Sequence, residues 1–136
     1  VIPLGFRLAA ASNVLGVLIF SMGFTNDRLV SESPVVFSRF GLVCIVLWGL
    51  AYLATAKAAD LVPALAAVFA LEKLVYSVTW FVWLGEHGAS LSSLFSESPL
   101  TATFYAIYGP NDILFGLFFA YVAIRGLRER PPAPQR

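Results

Sequence analysis

LVPALAAVFALEKLVYSVTWFVWL, residues 61–84, decides how this chain is read. The run is apolar almost throughout and carries charge at one place only, the adjacent Glu72 and Lys73. A helix needs about 20 apolar residues to cross a hydrocarbon core of roughly 30 Å. Three further stretches meet that requirement: 5–24, 34–56 and 101–124. Helices are the expected spanning element, because unpaired backbone groups are too costly in lipid. A β-barrel would need alternating polarity, and residues 42–47 and 113–119 show none. The reading is therefore all-α: an integral membrane four-helix bundle occupying 1–127. A basic, proline-rich tail follows at 128–136 and is expected to be disordered.

Composition agrees. Of 136 residues, 59% are hydrophobic and 12% charged, with a mean hydropathy of +0.80. A soluble domain carries about twice that charge, since its surface faces water. A net charge of +1 gives no reason to expect nucleic acid as a partner. The single cysteine, Cys44, cannot form an intrachain disulfide. The apolar runs are too many and too long for one signal peptide, and the first lacks a small-x-small cleavage pattern.

Lysine and arginine near the helix ends set the expected orientation. Arg7, Lys57, Arg125, Arg128, Arg130 and Arg136 fall on one side. The other side holds Arg28 and Arg39 with Asp27, Glu32, Glu86 and Glu97. Both termini are thus expected in the cytoplasm, with the chain in the inner (plasma) membrane. Trp80, Phe81 and Trp83 end the third span, where an outer aromatic belt would sit. In the outer loop, Leu91, Leu94 and Phe95 share one helical face, and a short surface helix is one reading of them; an ordinary loop is the other. Ser-Glu-Ser-Pro occurs at Ser31–Ser33 with Pro34 and again at Ser96–Ser98 with Pro99. Two repeated helical hairpins would explain it, and so would chance similarity of helix-start signals.

The informative residues are polar ones within the spans: Asn13, Arg39, Glu72, Lys73, Asn111 and Asp112. A central charge costs roughly 2.5–3.5 kcal/mol on insertion scales, so such groups turn inward and pair. Glu72 and Lys73 lie roughly 16–18 Å from the inner end of their helix, Asp112 roughly 20 Å and Asn13 roughly 12 Å from theirs. Arg39 is expected roughly 7 Å below the outer end of the second span. Neighbouring Glu72 and Lys73 point about 100° apart. The expected pairs are Glu72 with Arg39 or Asn13, and Lys73 with Asp112. Tyr76, one turn from Glu72, can donate to it. Tyr108-Gly109-Pro110-Asn111-Asp112 is expected either to bend the fourth helix or to start a new one at Pro110. In the second case Asp112 would sit in a first turn, where the dipole favours a carboxylate. Ser12, Gly16, Ala66, Ala70, Gly116 and Ala120 read as close-packing positions.

One histidine, one cysteine and one methionine leave little for a metal. His87 reads as an exposed loop residue with no ligand partner at the right spacing. No phosphate loop or hydrolase motif is present, and no cofactor is expected. Glu72 or Asp112 is a candidate proton carrier.

Three segments carry a family resemblance: Leu47-Trp48-Gly49-Leu50-Ala51-Tyr52; Leu71-Glu72-Lys73-Leu74-Val75-Tyr76; and Tyr108-Gly109 with Asn111-Asp112, followed by Phe115-Gly116-Leu117-Phe118-Phe119. They resemble the small bacterial BphX-like membrane proteins, which are similar in layout to the wider DoxX-like set. The resemblance covers most of 8–125. It implies a four-helix bundle, and some DoxX-like members act as subunits of membrane oxidoreductases; no catalytic residue carries over. The functional expectation is a non-catalytic accessory or interaction subunit of a larger membrane complex or homo-oligomer. The alternatives are a binding protein or carrier for a small lipophilic compound, its polar end on the Glu72/Lys73/Asp112 layer, and a proton-coupled small exporter.

Overall fold

Pro3, Pro63 and Pro99 stand in the first turns of three long helices. There the missing N–H has no intrahelical partner to lose and the fixed φ is already helical. The computed structural model describes residues 1–59 and 61–129. The described residues form α1 (Ile2–Phe20), α2 (Asp27–Glu32), α3 (Arg39–Thr55), α4 (Pro63–His87), α5 (Leu91–Glu97) and α6 (Pro99–Arg128), with a 3-10 turn at Gly88–Ser90. No strand occurs among them. The expected tail lies, from residue 130 onward, outside the described residues.

Ile2–Phe20, Pro63–Glu97 and Pro99–Arg128 are long and apolar enough to cross a membrane. The remaining apolar helix, α3, has 17 residues and rises roughly 25 Å. It is shorter than the 34–56 expected because Pro34 does not start it. Ser38 does: its hydroxyl accepts from the Gly41 amide at 3.0 Å, satisfying one of the free N–H groups of the first turn. Residues 34–38 instead form turns that bury Phe37.

The long helices pack as two antiparallel pairs, α1 with α3 and α4 with α6. Gly49 lets α3 approach α1: a Cβ there would lie 2.8 Å from Val14 and 3.0 Å from the Asn13 Cβ. Between α4 and α6, Pro63 faces Gly126, Lys73 faces Gly116 and Trp80 faces Gly109. One end of the bundle therefore holds the helix termini at Ile2 and Arg128, and the other holds α2 and α5. At the termini end, Phe6, Tyr52, Phe69 and Phe119 form one core. At the loop end, Phe37, Trp83, Phe104, Tyr105 and Tyr108 form a second. The outer surface is apolar as well: Leu8, Leu15, Leu47, Leu71 and Leu117 are 55–67% exposed.

Of the two expectations for Pro110, a bend or a new helix start, the structure excludes the second. Pro110 neither ends a helix nor begins one; α6 runs through it for 30 residues. Proline removes one backbone donor and crowds the preceding turn. Next to that turn the Trp80 indole donates to the Tyr105 carbonyl at 2.8 Å. Asp112 thus sits inside a helix, with no first-turn dipole to favour it. The aromatic belt is also different from the one expected. Phe81 faces outward, but Trp83 is buried and stacks on Tyr105 with centroids 4.4 Å apart. Gly109 makes room for Trp80, since a Cβ there would fall 1.9 Å from the indole.

Candidate functional site

A polar layer separates the two cores. Lys73 is its centre and is only 2% exposed. Its ammonium lies 2.5 Å from Asp112 Oδ1 and donates to Asn13 Oδ1 at 2.9 Å. Asn13 spends its other end on α3, donating from Nδ2 to the Ile45 carbonyl at 3.2 Å. One ammonium thereby ties α4 to α6 and to α1, and through Asn13 to α3. An ammonium buried without such partners would be strongly destabilising, so this convergence is what permits Lys73 inside an apolar bundle.

Glu72, offset by about 100° from Lys73 around α4, turns toward α3. Its Oε2 accepts a short hydrogen bond from the Tyr52 hydroxyl on α3. Its Oε1 makes no hydrogen bond and lies 3.9 Å from the Lys73 ammonium. The Lys73 ammonium also lies 5.5 Å from the centre of the Tyr52 ring. Ser12 on α1 donates to Asn111 Oδ1 on α6 at 2.8 Å.

The structure thus brings together Asn13, Glu72, Lys73 and Asp112, with Asn111 next to Asp112 in α6. Tyr76 borders the same space but makes no hydrogen bond to Glu72; Tyr52 takes that position. Arg39 does not reach the layer. As the first residue of the Ser38-capped helix it lies at the loop end, 2.7 Å from exposed Asp27, and is itself 66% exposed in its side chain. Neither Arg39 nor Asn13 pairs with Glu72. Tyr52 was missed because it lies 20 residues from Glu72 in another helix, a separation with no periodic signature. Its only signal was a hydroxyl in an apolar run.

A cavity of about 90 Å³ adjoins the layer on the loop-end side. Its polar lining comprises Ser12, Asn13, Glu72, Lys73, Asn111 and Asp112. Its apolar walls include Phe20, Phe37, Tyr76, Phe104 and Tyr108. Gly16 also lines it and would meet nothing within 4 Å if given a Cβ. Gly16 is therefore not the close-packing position its spacing suggested; it borders open space between α1 and α6. A second, wider groove of about 720 Å³ runs along the outer side of α4 and α6 and is almost wholly apolar. Asp112 borders both spaces.

Compared with family models, curated proteins and solved structures, the chain matches none.

Proposed function

We propose that this chain is a multi-pass protein of the cell inner membrane that binds or carries a small lipophilic compound. On this reading α1, α3, α4 and α6 all span, both termini are cytoplasmic, and the layout is that of the BphX-like and DoxX-like proteins. The observation that carries it is the cavity: a polar floor built on Lys73, Glu72 and Asp112, with aromatic walls and an edge at Gly16. Ligand sites have this make-up, mostly apolar with a few convergent polar groups. The apolar outer surface supports the membrane setting, because a soluble bundle would bury leucines such as Leu71 and Leu117, which are 61% and 67% exposed.

Native mass spectrometry of the protein released from mild detergent tests this. The wild-type chain should retain a small molecule, and Gly16→Leu, which extends a side chain into the cavity from its open edge, should lose it. Wild-type and variant chains that are both free of any bound compound would defeat the binding reading.

The accessory-subunit role has an observation of its own, the groove of about 720 Å³ along α4 and α6, where Ala67, Ala70, Gly116 and Ala120 leave room for another helix. Co-purification of a larger membrane protein, lost on Ala70→Leu and kept on Gly16→Leu, would favour that role over the first. Proton movement in liposomes that is abolished by Glu72→Gln would favour an exporter instead.

A further inference from the structure

We infer that the occupant of the polar cavity is an organic ammonium ion on an apolar body, its cationic head against Glu72. This rests on the binding reading above and adds the chemical class of the ligand. The layer contains two carboxyl groups, on Glu72 and Asp112, against a single ammonium. Lys73 donates to Asp112 and Asn13 at 2.5 and 2.9 Å and stands 3.9 Å from Glu72 Oε1, within ion-pair range but beyond hydrogen-bond reach. Glu72, 8% exposed and part of the cavity lining, keeps one oxygen without a hydrogen bond. A buried acceptor of this kind ordinarily has a partner. What the cavity lacks is therefore a donor, and next to a carboxyl group a positively charged one.

The walls narrow the class further. An inorganic cation is held by several oxygens that replace its hydration shell. Here the apolar part of the wall is led by five aromatic residues, Phe20, Phe37, Tyr76, Phe104 and Tyr108. Aromatic rings attract alkylammonium groups through the ring quadrupole. An anionic head would need Lys73, whose ammonium is already engaged. Volume sets the size of the head. The cavity of about 90 Å³ has the room of about three waters at roughly 30 Å³ each. That suits a methylated ammonium group and is well below the pocket of a drug-sized molecule. The apolar body then lies in the cleft between α1 and α6, past Gly16 and Ile107.

The test is calorimetric titration of the full chain in nanodiscs, against empty nanodiscs, with hexyldimethylammonium, which keeps one N–H donor, and its uncharged isostere bearing an isopropyl head. The expected result is saturable binding of the cation, with the isostere about tenfold weaker or more. Glu72→Gln, where folded, should lose about tenfold in affinity for the cation and little for the isostere. If that variant does not fold, the comparison of probes on the wild-type chain still decides. Equal binding of the two probes overturns the ammonium assignment while leaving a binding site in place. Absence of saturable binding by either overturns the assignment too, and mass spectrometry of the wild-type and Gly16→Leu chains then judges the binding reading separately.

Discussion

Toward its termini the bundle is filled by Phe6, Tyr52, Phe69 and Phe119, whose rings meet at 4.8–6.1 Å. Toward the loop end Phe37, Phe104 and Tyr108 pack as closely, at 4.9–5.3 Å, yet a cavity remains beside them. The difference arises on α1. Near the termini, Phe6 is a large side chain that reaches Phe118 and Phe119 on α6. Past the Ser12–Asn111 hydrogen bond, α1 offers Gly16, and nothing fills the space it leaves. Large side chains close one half of this molecule; in the other a glycine leaves a cavity beside the charged layer. A parallel contrast separates the ion pairs. Lys73–Asp112 is enclosed by helices, whereas Arg39–Asp27 and Arg28–Glu97 stand in the open at the loop end.

These contrasts can be broken by substitution. The largest effect is expected from Asp112→Leu, which strands the Lys73 ammonium. About 3–5 kcal/mol of stability should be lost, as for other buried pairs deprived of one partner, when unfolding is followed by SDS titration in mixed micelles. A loss near zero would mean that water reaches Lys73 freely. Next comes Gly49→Leu, which drives a side chain into Val14 and Asn13 where α1 and α3 touch. Overpacking of this kind costs about 1–3 kcal/mol, read in the same titration. Gly16→Ala sharpens the comparison, since both glycines are helical and only Gly49 is crowded. It should be neutral or stabilise by up to about 1 kcal/mol, by removing glycine's backbone entropy. Destabilisation there would show that the cleft is tighter than described. Arg39→Ala should change least, by about 1 kcal/mol or less, because its partner Asp27 is as exposed as it is. That small effect should shrink further in high salt.

How much of this could be read from residues alone depended on whether physics or tertiary placement set the outcome. Lys73 and Asp112 could be paired beforehand, because a charge inside an apolar run demands a partner and the depths along α4 and α6 matched. The apolar helices were legible for the same reason, although α3 begins later than Pro34 suggested. The start is set by the Ser38 N-cap, which also places Arg39 at the loop end. Pro110 signals either a bend or a new helix start, and α6 runs through it without a break; nearby Trp80, an expected belt residue, donates across to the Tyr105 carbonyl. Tyr52 and the cavity at Gly16 had no local signature. One depends on α3 facing α4 at a chosen depth, and the other on the absence of a neighbour that only the assembled helices reveal.

The central claim is that Lys73 and Asp112 act as one buried unit at the junction of the helix pairs. A double-mutant cycle with Lys73→Met, Asp112→Leu and the combined variant tests it most directly. The account predicts strong coupling, about 2–3 kcal/mol, with the double variant far more stable than the sum of the single losses implies. Losses that simply add, to within about 0.5 kcal/mol, would contradict it.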